Sequence, residues 1–254
     1  MKIKFIKCIF EDLGGYIQAY VSSLSSPIDS FLEGHIIDSD FFMIYVDGKK
    51  AGYFAVQKKE RLTQFYMLDK YKKYGQNVYI EMKRVLNVRS AFVPTCDEFF
   101  LAHAVDSYKT LDKQAYFFCD SKKKVKGDHD IVLRKAVYTD IGSIKENSGD
   151  FFGELEREVN DGIIYIAEKD SMTVGYGVIE KQKIMKNYAS IGMFTIENLR
   201  QQGIGKSIII GLKEMTYEMG LKPLAGCWYY NHNSKKTLES AGMITKTRLL
   251  KFGF

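Results

Sequence analysis

The sequence has no apolar run long enough to cross a membrane; charge interrupts its hydrophobic residues throughout. Near the start, Lys2, Lys4 and Lys7 sit among apolar residues and Glu11 and Asp12 follow, so nothing there reads as a signal sequence. The four cysteines, Cys8, Cys96, Cys119 and Cys227, lie far apart with no close pair, which argues against a zinc site and, without export, against disulfides. His35, His103 and His129 have no partner at a ligand spacing, so no metal is expected. Concentrated charge is missing too: the net +6 comes from lysines scattered over every segment, so no nucleic-acid partner is expected. The expectation is a cytoplasmic chain with no membrane partner and with reduced, buried thiols, acting as a monomer or homodimer.

What is present is core-forming material. With 46% hydrophobic residues in 254, the chain can bury one large core or two small ones. The strongest charge run, Lys122 to Lys126 followed by Gly127 and Asp128, reads as a solvated linker (122–128) between segments 1–121 and 129–254. After it the pattern predicts a strand over 131–134, helices over 139–146 and 153–160, a hairpin of strands 163–168 and 173–180 turned at Asp170-Ser171, and a strand over 189–196. A helix over 206–219 stopped by Gly220, a strand over 224–228, a helix over 233–241 closed by Gly242 and a strand over 247–252 complete it. The first half repeats this order more loosely: strand 3–8, helical segments to Leu32, a hairpin turned at Asp47-Gly48, strand 63–68, helix 78–88, apolar 91–93, helix 99–108 and strand 115–119. The repeat suggests a diverged duplication.

Between a predicted strand and a predicted helix stands Arg200-Gln201-Gln202-Gly203-Ile204-Gly205-Lys206-Ser207. Glycines at such a corner let the backbone curl and aim successive N–H groups at one anion. A P-loop would need glycine where Arg200 stands, although Gly205-Lys206-Ser207 matches its end, and a dinucleotide fold would need glycine at Ile208. The bland alternative is a tight turn and nothing more.

The pattern R-x-x-G-x-G after a strand resembles the pyrophosphate-binding motif of the GNAT superfamily of acyl-CoA-dependent N-acyltransferases. A second resemblance lies in Asn231 to Met243, with its asparagine, a small residue three on (Ser234), and a terminal glycine followed by an apolar residue. The resemblance implies an α/β (α+β) fold of two GNAT-like domains, each a mixed, mostly antiparallel twisted sheet flanked by helices. It implies acetyl-CoA (coenzyme A) as co-substrate of the second domain, with the first, degenerate domain shaping the site of a small-molecule amine acceptor. It further implies strands splayed at a bulge, so that backbone groups of Phe194, Thr195 and Ile196 meet the pantetheine arm. The pyrophosphate would then sit on the N–H groups of Gln201, Gln202, Gly203, Ile204, Gly205, Lys206 and Ser207 beside Arg200, while Asn231 and Ser234 hold the arm from the other side.

In the implied reaction an amine attacks the thioester, a backbone N–H near Phe194 or Thr195 stabilises the oxyanion, and Glu180 or Glu197 takes the proton through water. Leu238 stands where many members carry a tyrosine that protonates the departing thiolate. Tyr230 is the candidate replacement, from a cluster with Cys227, Tyr229 and His232 that also reads as packing. Two rival functions remain open: a non-catalytic acyl-CoA sensor, favoured by Leu238, and a tandem aminoacyltransferase using aminoacyl-tRNA, which would not need the intact loop. In the first half, Gly75 aligns with Gly203 and Asn77 replaces the second glycine, so one coenzyme A per chain is expected.

Overall fold

The computed structural model describes residues 1–254 and divides into two compact units, one of Met1–Phe117 with Lys246–Phe254, the other of Phe118–Thr245. In chain order the first elements are β1 (Ile3–Cys8), α1 (Gly15–Ser23), α2 (Ser30–Ile37), β2 (Ser39–Val46), β3 (Lys49–Gln57), β4 (Arg61–Met67), α3 (Gly75–Leu86), β5 (Ser90–Pro94), α4 (Glu98–Val105) and β6 (Thr110–Asp120). There follow β7 (Val132–Lys135), α5 (Ile141–Ser148), α6 (Leu155–Asn160), β8 (Ile164–Lys169), β9 (Met172–Lys181), β10 (Tyr188–Thr195), α7 (Ile204–Glu218), β11 (Lys222–Trp228), α8 (His232–Ser240) and β12 (Met243–Gly253).

Both expected hairpins form, by the same local chemistry. Asp47 and Gly48 take φ of 48° and 79° between β2 and β3, and Asp170 and Ser171 take 50° and 62° between β8 and β9. Two consecutive left-handed residues match the twist of the flanking strands, and Asp tolerates that region better than most side chains.

In the first unit the strands run β1-β2-β3-β4-β5-β12-β6, antiparallel except where β5 joins β4. Here the expected boundary is corrected. The last strand does not stay with the segment that precedes it; Leu249 to Gly253 pair with Pro94 to Ser90, and Phe252 enters the core of Phe54, Phe65, Val78, Tyr79, Met82 and Phe100. Burying one phenylalanine is worth about 1.5–3 kcal/mol, enough to hold the strand there.

In the second unit the strands run β11-β10-β9-β8-β7, with α7 packed on β9 and β10 through buried Ile208, Ile209 and Leu212. The expected solvated linker is corrected as well. Asp128 donates its N–H to the Ser207 hydroxyl at 2.8 Å, a Cβ on Gly127 would come within 3.4 Å of Ser207 and Ile210, and Ser121 N–H donates to Gly242 O at 3.1 Å. The lysines face outward while this backbone lies against α7, so a charge run marks solvent on one side only.

Candidate active site

The second unit's sheet opens on one side of β10. Toward β9 the register is continuous from Ala189 opposite Lys181 to Thr195 opposite Gly175. Toward β11 the parallel pairing covers only Tyr188, Ala189 and Ser190, opposite Lys222, Pro223 and Leu224. Beyond Ser190 the two strands part. The expected bulge is absent from the β9–β10 register, so the opening comes from divergence of parallel neighbours.

Two hydrogen bonds tell which backbone groups face that opening. Ile196 N–H donates to Val174 O on the β9 side at 3.2 Å, and Asn187 O accepts from Lys222 N–H on the β11 side at 2.9 Å. Backbone groups alternate sides along a strand. Met193, Thr195 and the carbonyl of Ile191 therefore face the opening, the Ile191 N–H closing the last pairing with Leu224 of β11, and the expectation for Phe194 and Ile196 is corrected: their N–H and C=O groups turn to β9. Ile191 and Met193 are functional candidates that sequence reasoning missed, because strand parity is not visible without a pairing.

The opening leads to the glycine-bearing corner. A 3-10 turn, Glu197–Leu199, follows β10; Gln201 (φ 65°) and Gly203 (φ 84°) then adopt left-handed backbone, and α7 begins at Ile204, two residues before the expected start. The first helical bond runs from Ser207 N–H to Gly203 O at 3.1 Å, and no N–H from Gln201 to Lys206 donates to a backbone carbonyl. Six successive unspent donors lie at the positive end of a fifteen-residue helix, an arrangement that can hold an anion. Gly205 lets the helix approach the strand: a Cβ there would lie 3.1 Å from Thr195 Oγ1 and 3.2 Å from Met193 Sδ.

Ser207 does not belong to this set. Its N–H is spent on Gly203 O, its hydroxyl donates to the same oxygen at 3.2 Å, and it accepts from Asp128. Ile204 buries its side chain and offers only its N–H. Arg200 folds back, donating Nε to Thr195 O at 3.3 Å and pairing Nη1 with Glu197 at 3.4 Å. Glu197 is thereby committed to a local ion pair.

Asn231 caps α8, its Oδ1 accepting from Ser234 N–H at 3.0 Å, which leaves only the asparagine's amide N–H groups for a ligand. Leu238 is buried at 3% exposure, whereas Tyr230 is 51% exposed, its ring against Trp228 and Tyr229. Glu180 is exposed at the end of β9, opposite Ser190. Burial pushes the half-buried Glu158 carboxyl of α6 above its usual range, and the charge of Glu180 adds to this. A partly buried carboxyl raised in this way takes up a proton more readily than a solvated one, which makes Glu158 a candidate base beside Glu180. Glu158 gave no sequence signal inside the charged run Leu155–Asn160. Tyr230 and Asn231 are chain neighbours between β11 and α8, whereas Glu180 lies on β9.

The first unit has the corresponding opening, since β4 pairs with β5 only at Arg61–Ser90 and Leu62–Ala91. Its corner is a 3-10 turn, Asp69–Tyr74, and Gly75 has helical φ of −52°. The alignment of Gly75 with Gly203 is corrected. A Cβ on Gly75 would lie 2.5 Å from His103 Nε2 and 2.7 Å from Phe99 Cζ, so this glycine serves close packing, as Gly205 does.

Comparisons with known proteins agree with this architecture. Residues 9–121 match a family model described as an acetyltransferase (GNAT) domain. No curated protein matches the chain. Among solved structures, a GNAT-family acetyltransferase from Colwellia psychrerythraea is similar with TM-score 0.87 and 20% identity, covering 100% of both chains. A GCN5-related N-acetyltransferase from Sphaerobacter thermophilus is similar with TM-score 0.66 and 13% identity over 98% of this chain and 95% of that one. A tandem GNAT protein from the clavulanic acid biosynthesis pathway is similar with TM-score 0.63 and 11% identity over 99% and 98%.

Proposed function

We propose that this chain is an acyltransferase of the GNAT superfamily, in line with the family model matched over residues 9–121, and that its second unit binds acetyl-CoA and passes the acetyl group to the amine of a small molecule or amino acid. One observation carries the reading: the unpaired edge of β10 leads directly into six unspent N–H groups at the start of α7. Residues Ile191 and Met193 accept the amide arm as a neighbouring strand would be accepted. Gln201 to Lys206 donate to the pyrophosphate, and Asn231 donates its amide N–H groups from the facing helix. The bound co-substrate supplies a thioester carbonyl. Met193 N–H faces the opening and stabilises the oxyanion as the amine adds. A C–N bond forms, the C–S bond breaks, and the amine's proton passes to the Glu158–Glu180 pair through water.

The test is release of free thiol from acetyl-CoA with a panel of small amines, alongside thermal stabilisation by acetyl-CoA alone. Saturating ligand at about 100 times Kd stabilises by roughly 2.7 kcal/mol. Gly203→Asp sets a carboxylate against phosphate at a left-handed position and abolishes both signals; unchanged stabilisation in the variant rejects the cradle. A non-catalytic acyl-CoA sensor is favoured by one observation, the buried apolar Leu238. Stabilisation without turnover on any amine selects it.

A further inference from the structure

The first unit buries polar groups that its own packing leaves short of partners. Tyr20 of α1, Tyr53 of β3, Gln64 of β4 and Asp97, just before α4, are 1%, 0%, 0% and 4% exposed. The hydroxyls of Tyr20 and Tyr53, both amide atoms of Gln64 and Oδ2 of Asp97 lack a partner at full hydrogen-bonding geometry, although Gln64 lies toward both tyrosines and Tyr20 toward Asp97. Strand pairing sets Tyr53, Gln64 and Tyr66 on one face of the sheet, and the rings of Tyr20, Tyr53 and Tyr66 stand 5.8–6.3 Å apart. A buried polar atom short of a partner costs about 1–3 kcal/mol, and of these four residues Asp97 is the one that reaches a cavity.

Asp97 opens onto a cavity of about 300 Å³, lined also by Ser23, Phe65, Tyr66, Lys72, Glu98 and Phe99. Its Oδ1 is spent capping α4 on Phe100 N–H at 3.0 Å, while Oδ2 lacks a partner at full geometry. The charged groups of the lining are Asp97, Glu98 and Lys72, the last paired with exposed Asp69 at 2.8 Å, so the balance is negative in a space walled by aromatic rings. An anion there would meet those carboxylates, and a neutral guest would leave a buried charge unpaired. An ammonium brings donors that match Asp97 Oδ2, and the ring faces of Phe65, Tyr66 and Phe99 attract it.

We propose that this cavity binds a small primary ammonium ligand, its N–H groups on Asp97 Oδ2 and its carbon skeleton against Phe65, Tyr66 and Phe99. The volume, at the low end for ligand sites, suits a single ring or a short chain. Burial pushes the Asp97 carboxyl up to about 7, against the pull of Phe100 N–H, Tyr20 and Lys72. The other groups facing it are Tyr53, Tyr66, Glu98 and Cys96; burial raises Tyr20, Tyr53 and Cys96, which stay protonated in the neutral range. Ammonium binding therefore weakens below about pH 7, by roughly tenfold per pH unit. The site lies wholly in the first unit and stands whether or not the second binds acetyl-CoA.

The experiment is calorimetric titration of the full chain with 2-phenylethylamine and with 2-phenylethanol, its uncharged counterpart. The amine binds saturably and the alcohol at least about tenfold more weakly. Asp97→Asn, which keeps the helix cap, reduces the amine's affinity by about tenfold or more and leaves the alcohol's unchanged. Should that variant misfold, the pH series on the unaltered chain decides. No saturable binding of the amine to about 10 mM, equal affinity for amine and alcohol, or an amine affinity flat between pH 8 and pH 6 overturns the proposal.

Discussion

After β10 the chain turns on Gln201 and Gly203, both left-handed; after β4 it turns through a 3-10 helix in which no residue is left-handed. The consequence is in the donors. In the second unit the N–H groups from Gln201 to Lys206 bond to no carbonyl, whereas in the first Tyr71 N–H donates to Leu68 O at 2.8 Å and Gly75 N–H to Lys72 O. Positive charge does not restore what is lost. Lys70, Lys72 and Lys73 lie over the rings of Tyr71, Phe99 and Tyr74 at 5.0–5.6 Å, and flexible ammonium groups are poor substitutes for aligned backbone dipoles. The family model matches the unit whose corner is closed. The family model and the unspent donors thus fall on different halves of one chain.

The largest expected effect breaks this comparison at its centre. Calorimetric titration with acetyl-CoA gives one class of sites with unit stoichiometry, and Gly203→Asp removes it. Gly203→Ala, which imposes the left-handed strain of about 1 kcal/mol without the charge, weakens binding but keeps it. Two tight sites per chain, or a loss dependent on Gly75, would mean that the first corner opens in solution.

The next effect is electrostatic and belongs to the first unit. Asp97 is raised to about 7 by burial, while the unfolded chain holds an ordinary aspartate near 3.9. The folded state therefore binds more protons between these values, and stability falls as pH rises from about 4 to about 7. The size is on the order of 2–4 kcal/mol, an upper range because water can reach a cavity-lining carboxyl. Denaturant midpoints at pH 5 and pH 8 check it, and Asp97→Asn flattens the difference. A steeper loss at low pH than at neutral pH would reverse the assignment.

Gly75→Ala is smaller and tests packing alone. Its Cβ meets the His103 ring and Phe99, so overpacking costs about 1–3 kcal/mol, read from the unfolding midpoint, with acetyl-CoA stoichiometry unchanged. An unchanged midpoint would show that the His103 ring yields freely.

How much of this was legible differs by level. The hairpins at Asp47-Gly48 and Asp170-Ser171 and the left-handed corner at Gln201 and Gly203 rest on local backbone chemistry, which a sequence displays directly. The seat of β12 beside β5 is a long-range pairing, and Thr247 to Phe252 carries no mark of its partner. The same holds for Ile191 and Met193, whose direction depends on the register with β9, and for Asp97, whose neighbours in sequence carry no mark of Tyr20 and Gln64. Gly75 misled because one glycine can mean a left-handed turn or a close approach, and only φ distinguishes them.

Arg200 carries the smallest expected effect, although it opened the sequence motif. It is half exposed, its partner Glu197 is 87% exposed, and their 3.4 Å contact spans one turn. Exposed pairs of this kind are worth about 0–1 kcal/mol. Arg200→Ala therefore changes the unfolding midpoint by no more than about 0.5 kcal/mol in free energy. Its Nε bond to Thr195 O holds the carbonyl at the mouth of the opening, and its charge adds to the field at the cradle. Affinity for acetyl-CoA then falls only a few-fold at low salt and less at high salt, since exposed charges are screened beyond about 10 Å at 0.1 M. Lys72→Ala, its counterpart at the closed corner, leaves the titration unchanged. A loss of about a hundredfold for Arg200→Ala that persists in high salt would make the guanidinium, and not the backbone donors, the anchor of the anion.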